Sequence, residues 1–268
     1  MTEPRHILSL SGGKDSTALA VYMRDRIPQM EYVFCDTKKE LQETYDYLDK
    51  IEAYLGKKIV RLTDDRGFDH WLQIKGGYLP SSRMRWCTEY LKIKPFEKYV
   101  GTDPTKLYVG IRADEYRKAY VSSKPNIVTV LPFMEDNISY EDVYRILEES
   151  GLGLPSYYSW RTRSGCYFCF FQRRAEWVGL RENHPDLFEK AKEYEKVDPE
   201  TGDRYTWSQR ESLEELSQPE RMEEIKRAHE AAMQKEQKRR RVSLPLFEVL
   251  SDVHDNENDD EPCFFCQT

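Results

Sequence analysis

Residues 8–16 read Leu-Ser-Leu-Ser-Gly-Gly-Lys-Asp-Ser. An apolar run at residues 6–10 stops at the adjacent glycines Gly12 and Gly13, and apolar residues recur at helical spacing from Ser16 onward. This order predicts a strand, a tight loop and a helix. The backbone N–H groups of such a loop and the positive end of the helix both attract anions, so the segment predicts a phosphate-binding loop. An ordinary strand-to-helix turn is the alternative, and the adjacent glycines depart from the Walker pattern.

Further apolar runs alternate with helical segments along the chain. The runs lie at residues 32–35, 58–62, 107–111 and 127–131, and the helical segments between and after them include residues 41–55 and 140–149. Such alternation implies βαβ units. We therefore predict an α/β fold with a mostly parallel five-stranded sheet flanked by helices. Ser139 is the expected N-cap of the helix at residues 140–149, and Gly151 is its expected stop.

The C-terminal part differs in composition from the rest. Charged helices are expected at residues 173–196 and 211–241, and an acidic tail follows at residues 252–261. We predict two domains on this basis. Residues 1–155 would form a nucleotide-binding core, and residues 156–268 a helical appendage that contains cysteines and ends in the acidic tail.

Composition limits the function classes. Hydrophobic residues make up 39% and charged residues 33% of the 268-residue chain, and no apolar run approaches the ~18 residues of a membrane helix. The N-terminal residues lack the features of a secretory signal, so we expect a cytoplasmic protein without membrane contact. A net charge of −7 argues against nucleic-acid binding by the whole surface. Basic segments at residues 161–163, 173–174 and 238–241 could still contact a polyanion or form solvated helix faces.

Four of the six cysteines are paired at the spacing of metal ligands. Cys166 and Cys169 form one Cys-x-x-Cys unit, and Cys263 and Cys266 form another. In a reducing compartment this arrangement is typical of a four-thiolate site, and the spacing does not choose between zinc and an iron–sulfur cluster. Unligated thiols are the alternative. Cys35, at a predicted strand end, is expected to be a small buried apolar residue.

Residues 8–16 resemble the signature of PP-loop (N-type) ATP pyrophosphatases. Further segments resemble the phosphoadenylylsulfate (PAPS) reductase-like branch, and the resemblance runs from about residue 6 to residue 195. Those segments are Phe-Cys-Asp-Thr at residues 34–37 with Glu40, Arg-Trp-Cys-Thr at residues 85–88 with Lys92 and Pro95, Gly-Ile-Arg-Ala-Asp-Glu at residues 110–115 with Arg117, and Arg-Ser-Gly-Cys-Tyr-Phe-Cys at residues 163–169. The sequence is most similar to the sulfur-transfer members of bacterial DNA phosphorothioation systems, the Dnd and Ssp types. The resemblance implies a fold of the adenine nucleotide α-hydrolase type, with ATP across the C-terminal strand edge.

The resemblance also implies an activity. Such an enzyme cleaves ATP, with Mg²⁺, to AMP and pyrophosphate and so activates an oxygen for sulfur transfer. In phosphorothioation, which is associated with antiviral defence, the oxygen would belong to DNA and a cysteine desulfurase would supply the sulfur, with other phosphorothioation subunits as partners. The alternative enzymes are a tRNA thiolase and a PAPS reductase, and the alternative of another class is a non-catalytic, ATP-sensing subunit that binds nucleic acid. Reductases of this family carry a cysteine in a C-terminal Glu-Cys-Gly-φ-His setting (φ, any apolar residue), which residues 262–268 lack.

The residues of the phosphate loop have expected roles in this reaction, which depends on positioning the phosphates and neutralising their charge. The amides of Gly12 and Gly13, with Lys14, suit the leaving pyrophosphate. The hydroxyls of Ser11 and Ser16 can donate to the same oxygens. Asp15 is expected to organise the loop or to bind Mg²⁺. The full set of ATP-binding candidates is Ser9, Ser11, Gly12, Gly13, Lys14, Asp15, Ser16, Asp36, Gly110 and Arg112.

Residues outside the loop complete the candidate site. Asp36 would contact the ribose or a metal-bound water, or else cap the next helix. Arg112 and Arg117 match phosphate geometry, although a charge-balanced surface loop is the alternative. Lys92 would meet the α-phosphate or the incoming sulfur donor. The catalytic candidates are Lys14, Asp15, Lys92, Arg112 and Arg117. The resemblance favours an iron–sulfur cluster over zinc and adds Cys87 to the ligands, which gives five candidates for four positions: Cys87, Cys166, Cys169, Cys263 and Cys266.

Overall fold

The computed structural model of the protein describes residues 3–115, 122–197, 202, 204–208 and 211–241. These residues divide into two compact units, which meet in sequence between Cys169 and Phe170. The first unit contains a sheet of five parallel strands in the order β3-β2-β1-β4-β5. The strands are β1 (Arg5–Leu10), β2 (Glu31–Cys35), β3 (Ile59–Leu62), β4 (Thr105–Tyr108) and β5 (Ile127–Val130). This sheet confirms the predicted α/β class and makes it all-parallel.

The strand order places the predicted phosphate loop at a switch point. The chain runs from β1 outward to β2 and β3 on one side, and then returns to add β4 and β5 on the other side. Connections from β1 and β4 therefore diverge beyond the carboxyl ends of the two central strands. In open parallel sheets, ligands bind in the crevice that forms at such a point.

Helices connect the strands and cover the sheet. They are α1 (Lys14–Met23), α2 (Gln42–Leu55), α3 (Gly67–Ile74), α4 (Trp86–Thr88) with a π-helical turn (Glu89–Ile93) and α5 (Lys94–Val100), α6 (Pro132–Glu135) and α7 (Tyr140–Glu149). Leu8 and Leu10 of β1 pack in one apolar cluster with Leu19 of α1, Leu48 of α2 and Val143 of α7. Helix α7 begins and ends as predicted, because Ser139 forms a capping box with Asp142 and Gly151 follows with a left-handed φ of 75°.

The second unit is mainly helical. It contains α8 (Arg174–Asn183), α9 (Pro185–Lys192), a two-stranded antiparallel hairpin of β6 (Lys196–Val197) and β7 (Arg204–Tyr205), α10 (Leu213–Leu216) and α11 (Pro219–Arg241). The predicted helix at residues 173–196 is thus two helices, since the residue before a proline avoids helical geometry and the chain breaks at His184 before Pro185. The predicted helix at residues 211–241 is also divided, before Pro219. The short hairpin was not expected.

Three predicted features lie outside the described residues: Arg117, the acidic tail at residues 252–261, and the cysteine pair Cys263 and Cys266. Within the described part of the chain, no helix combines the length and the apolar character needed to cross a bilayer.

Candidate nucleotide-binding site

The predicted phosphate loop connects β1 to α1, and two glycines allow its path. Gly12 has a φ of 75°, and a Cβ at this position would lie 2.7 Å from Thr44 Cγ2. A Cβ on Gly13 would lie 2.7 Å from Ser164 Oγ. Larger residues would therefore strain or displace the loop at both positions. Helix α1 starts immediately afterward at Lys14, so its positive end faces the same space.

Hydroxyl groups fix the loop from inside. Ser16 is fully buried, and its Oγ accepts the backbone N–H of Ser11 at 3.1 Å and lies 3.2 Å from the carbonyl oxygen of Gly13. Ser11 Oγ in turn accepts the N–H of Gly13 at 3.3 Å. The structure thus places Ser16 as a support of the loop, whereas the sequence predicted a direct donor to phosphate oxygens.

Lys14, Asp15 and Arg112 form a linked charge cluster beside the loop. Asp15 Oδ2 lies 2.8 Å from Lys14 Nζ, and its Oδ1 lies 2.7 Å from Arg112 Nη1. Burial alone would lower the pKa of Arg112, but the carboxylates of Asp15, Glu115 and Asp114 raise it above its ordinary value, so the guanidinium stays charged. One carboxylate therefore holds two cations at the entrance of the loop. Asp15 was predicted to organise the loop or to bind Mg²⁺, and both roles stay predictions.

Gly110 lets the end of β4 approach the loop. A Cβ at this position would lie 2.9 Å from the carbonyl oxygen of Asp15 and 3.2 Å from the nitrogen of Ser16. Glycine is favoured here because the backbone of Gly110 lies close to that of Asp15 and Ser16, and not because of a left-handed conformation, since the φ of Gly110 is not positive. Strand β4 consequently ends at Tyr108, earlier than the predicted Ile111, and the chain then passes over α1 to deliver Arg112.

Three residues of the segment 156–169 contact the loop and were not predicted as site residues. Tyr157 Oη donates to the carbonyl oxygen of Gly12 at 2.8 Å, Tyr158 Oη accepts the N–H of Lys14 at 3.0 Å, and Ser164 Oγ lies 3.1 Å from Ser11 Oγ. Burial raises the pKa of Tyr157 and of Tyr158, which keeps both phenols neutral. These contacts explain why the first unit extends to Cys169, past the predicted domain boundary after residue 155.

Asp36 is buried at the end of β2, and both of its oxygens have partners. Oδ1 accepts the N–H of Lys38 and the hydroxyl of Tyr45, each at 2.8 Å, and Oδ2 lies 3.0 Å from Lys38 Nζ. The N-cap of α2 is Leu41, so the alternative of a helix cap is wrong. Asp36 instead shapes the turn in which Lys38 adopts a φ of 61°.

A narrow cleft beside the loop brings together residues from distant parts of the sequence. Lys92, on the π-helical turn, is 7% exposed and lines this cleft. The other lining residues are Ser9, Leu10, Ser11, Phe34, Cys35, Glu40 and Gly165. The structure thus places the predicted residues Ser9, Ser11 and Lys92 around one space. Cys35 is buried, as predicted.

Cys166 and Cys169 lie on one turn next to the cleft. The N–H of Cys169 donates to the carbonyl oxygen of Cys166 at 3.0 Å. The buried Arg161 holds the turn, since its Nη1 and Nη2 donate to the carbonyl oxygens of Gly165 and Cys166 at 2.9 and 2.8 Å. Cys166 Sγ lies 3.1 Å from Thr37 Oγ1.

Only part of the predicted metal site lies in the residues that the structure describes. No three His, Cys, Asp or Glu side chains are grouped as a metal site in the part of the chain that the structure describes. Cys87, on α4, is therefore not assembled with Cys166 and Cys169 into a three-ligand group. The five-candidate ligand set stays a prediction, because Cys263 and Cys266 lie outside that part.

Comparison with known proteins places this site in a family. Two uncharacterised proteins of Methanocaldococcus jannaschii are 28% and 24% identical to this chain over 198 residues each. These alignments cover 69% and 68% of this chain but 40% and 45% of the relatives, so the chain spans less than half the length of either. A crystal structure of PAPS reductase from Candida auris in complex with phosphate has a TM-score of 0.49 and 16% identity, and it covers 62% of this chain and 82% of that one. Residues 5–171 match the phosphoadenosine phosphosulfate reductase domain, and the chain belongs to that family.

Proposed function

We propose that the chain is an ATP pyrophosphatase that cleaves ATP to AMP and pyrophosphate and thereby activates an oxygen for sulfur transfer. The observation that carries the proposal is the convergence of Lys14 and Arg112 on a glycine loop at the start of α1. Two cations, backbone amides and the positive end of a helix suit a polyphosphate. The switch-point location at the carboxyl ends of β1 and β4 supports a nucleotide as the ligand.

The cleavage step assigns a role to each charged group. The substrate oxygen attacks the α-phosphorus, the bond from that phosphorus to the bridging oxygen breaks, and pyrophosphate leaves with Mg²⁺. Lys14 and Arg112 would neutralise the charge that builds on the leaving group, because cations fixed before the reaction need no reorganisation. Asp15 holds both side chains in place through its two oxygens. Arg117 is proposed to assist from the same connection.

The cleft beside the loop is the proposed place of the acceptor oxygen. Lys92 lies at this cleft with Ser9 and Ser11, next to the point where the loop leaves β1. A buried ammonium there would offset the negative charge of the acceptor and of the α-phosphate. The outer sulfur of a persulfide would then attack the phosphorus of the activated acceptor and displace AMP. A thiol would release the product by cleaving the sulfur–sulfur bond and leaving with the carrier sulfur as a disulfide.

DNA is the proposed acceptor, as in phosphorothioation, and a cysteine desulfurase is the proposed source of sulfur. Other phosphorothioation subunits would be partners, and the setting would be cytoplasmic antiviral defence. The motifs at residues 34–37, 85–88, 110–115 and 163–169 resemble the PAPS reductase-like branch, and the similarity of the sequence to the sulfur-transfer members within that branch supports this assignment.

An iron–sulfur cluster, or alternatively zinc, is the proposed cofactor of the cysteines. The described residues supply Cys166 and Cys169 on one hydrogen-bonded turn, but they group no three ligands by themselves. A complete four-thiolate site drawn from the five candidates would therefore include Cys263, Cys266 or both, and no step of the cleavage is assigned to the metal. Iron, zinc and sulfide analysis after anaerobic purification measures which metal is bound.

Product analysis with Mg²⁺ and ATP tests the cleavage. We expect AMP and pyrophosphate from the wild type and at least a ~10²-fold lower rate from Lys14→Ala, because one positioned cation at a reacting phosphate contributes on that scale. Lys58→Ala is the matched control, since Lys58 is exposed on the surface and pairs with Glu52. Formation of ADP would contradict cleavage at the α-phosphate, and ATP binding without turnover would favour the ATP-sensing alternative.

Reduction of PAPS is the second candidate because residues 5–171 match the reductase domain. The sequence Pro-Cys-Phe-Phe-Cys-Gln-Thr at residues 262–268 argues against it, since it lacks the reductase setting around the cysteine. Sulfite release from PAPS in the presence of a thiol reductant, with no AMP formed from ATP, would make this candidate the better one. A tRNA thiolase would instead require tRNA for AMP formation.

A further inference from the structure

The loop between α3 and α4 has an unusual charge pattern. Although the chain contains 48 Asp and Glu residues, none of them lies between residues 70 and 88. That stretch contains the cations Lys75, Arg83 and Arg85. We call residues 74–84 the docking loop.

The described residues supply no carboxylate that neutralises the cations of the docking loop. Lys75 Nζ lies 5.0 Å from the ring centre of Tyr90, and within the described ranges neither Lys75 nor Arg83 forms an ion pair. Three of the acidic residues that flank the loop already have cations of their own. Asp64 pairs with Arg66 at 3.1 Å, Asp69 with Lys39 at 2.9 Å, and Glu89 with Lys94 at 2.7 Å.

The docking loop also exposes apolar side chains on a fixed backbone. Ile74 is 61%, Tyr78 47% and Met84 42% exposed. Ser81 and Met84 exchange two backbone hydrogen bonds of 3.2 and 3.1 Å, and Trp86 Nε1 donates to the carbonyl oxygen of Tyr78 at 3.1 Å. Because these bonds hold the loop, the exposed ring of Tyr78 is presented without a large ordering cost on binding.

A short series of aromatic contacts connects the docking loop to the cysteine turn. Trp86 packs against Phe68 with ring centres 5.0 Å apart, and Phe68 packs against Phe168 at 4.5 Å. Phe168 lies between Cys166 and Cys169 in sequence. A polymer bound at the docking loop would therefore lie within a few aromatic contacts of the cysteine turn.

We propose that the docking loop binds the acceptor DNA as a single strand, with Lys75 and Arg83 at the phosphates and Tyr78 stacked on a base. The inference rests on the proposed function, since it names the surface that holds its acceptor. Unneutralised cations interleaved with an exposed aromatic ring match the two needs of single-strand binding, which are backbone neutralisation and base stacking. A partner held by apolar contacts alone would not explain why residues 70–88 contain no carboxylate.

Fluorescence anisotropy with a labelled single-stranded DNA of about 16 nucleotides tests the proposal on the full chain. Lys75→Ala/Arg83→Ala should weaken binding about tenfold at low salt and reduce the slope of log K against log salt by about 1.4, or about 0.7 per lost phosphate contact. Tyr78→Ala should weaken binding about fivefold or more without changing the slope. Lys58→Ala/Arg145→Ala is the control with the same charge change, because both residues are exposed and already paired with carboxylates.

Several outcomes would overturn the proposal. These are a wild type that does not bind the DNA, a Lys75→Ala/Arg83→Ala variant with wild-type affinity, and tighter binding of the RNA of the same sequence. Unchanged DNA affinity together with lost binding of a purified cysteine desulfurase by Tyr78→Ala would assign the loop to a protein partner. AMP formation without DNA, measured in parallel, separates the two hypotheses. If Lys75→Ala/Arg83→Ala weakens DNA binding as expected but the wild type forms no AMP, only the proposed function is contradicted. If the wild type cleaves ATP but these substitutions leave DNA binding unchanged, only the DNA-binding role of the docking loop is contradicted.

Discussion

The amide of Lys14 has a partner before any nucleotide arrives. Tyr158 Oη accepts this N–H at 3.0 Å, and the Tyr158 ring lies 6.0 Å from Lys14 Nζ. An amide at the first position of a helix is one of the donors that a phosphate oxygen would take. The phenol and a phosphate therefore compete for the same donor, so that nucleotide binding includes the cost of moving Tyr158.

Tyr158→Phe measures this competition. Without the hydroxyl, the nucleotide-free protein loses a hydrogen bond worth about 1 kcal/mol, while the nucleotide-bound form loses nothing. We therefore expect lower stability without ligand and about fivefold tighter binding of the α,β-methylene analogue of ATP. Thermal unfolding and calorimetric titration measure the two effects.

Tyr99→Phe is the control for Tyr158→Phe. Tyr99 Oη donates to Glu31 at 2.7 Å, at the start of β2 and so at the opposite edge of the sheet from the loop. This variant should lose stability without any change in nucleotide affinity. Weaker nucleotide binding by Tyr158→Phe would instead mean that the hydroxyl stays in place and donates its proton to a phosphate.

Residues near one another in sequence were predictable at the site, and distant ones were not. Gly12, Gly13 and Lys14 follow one another between an apolar run and a helical pattern, so their shared loop can be read locally. Tyr157 and Tyr158 contact the loop across more than 140 residues of chain. Their sequence shows an aromatic segment but no periodicity that points to a partner.

The same distinction holds for whole elements. The five strands were predicted to within about three residues at each end, because each is an apolar run that polar residues or turn formers interrupt. The largest difference is at β4, where the sequence continues apolar to Ile111 but the backbone leaves the ladder to pass Asp15. The hairpin of β6 and β7 has two residues per strand, which is too short to show an alternating pattern.

One carboxylate connects two helices of the second unit. Glu211, before α10, accepts Arg174 Nε of α8 at 2.6 Å and Arg221 Nε and Nη2 of α11 at 2.7 and 3.0 Å. The hydrogen bond from Arg221 lowers the pKa of Glu211, with further help from the charge of Arg174 and against the opposing effect of burial. A charged acceptor with three donors is a strong point of attachment.

Glu211→Gln should therefore destabilise the protein by about 1–3 kcal/mol at pH 7, because the amide nitrogen cannot accept. The folded pKa of Glu211 is below the unfolded value of about 4.3, so its contribution is present above that pH and is lost as the pH falls through the folded pKa. The difference between wild type and variant should accordingly shrink below about pH 4.3. Urea unfolding followed by tryptophan fluorescence at several pH values measures it.

The exposed Glu220, near the start of α11, supplies the control. Glu220→Gln should change the stability by less than about 0.5 kcal/mol at either pH. Equal effects of the two substitutions would show that Glu211 contributes no more than an ordinary surface charge.

The net charge of the whole molecule and the local charge of one loop favour different kinds of binding partner. The chain carries −7 overall, and this value alone argues against a nucleic-acid surface. The loop at residues 74–84 nevertheless keeps two cations without carboxylate partners among the described residues. The folded structure determines which charges neutralise one another. Composition therefore gives the net charge of the chain, but it does not identify the local charge of residues 74–84.

The predicted metal site also combines cysteines that are far apart in the chain. The turn of Cys166 and Cys169 belongs to the first unit, although the sequence placed it in the C-terminal appendage. Two thiols on one turn do not complete a four-thiolate site, and the described residues group no third ligand with them. A complete site of the predicted kind would include Cys263 or Cys266 and so close a loop of roughly ninety residues or more, and the cost of closure rises only slowly with length.

Deleting residues 252–268 tests this closure. We expect the truncated chain, purified without oxygen, to lose most of its iron or zinc, because metal affinity falls steeply when thiolate ligands are removed. Cys263→Ser/Cys266→Ser in the full chain should lose metal to the same extent, which separates the two thiols from the rest of the tail.

Cys35→Ser is the control, since Cys35 lies at the end of β2 and outside the predicted ligand set. Binding of the methylene ATP analogue should survive in the truncated chain and in the tail double variant, because Gly12, Gly13 and Lys14 take their shape from contacts within the first 169 residues. Full metal content in both tail variants would exclude Cys263 and Cys266 as ligands and leave a site that Cys166 and Cys169 complete with groups from outside the tail.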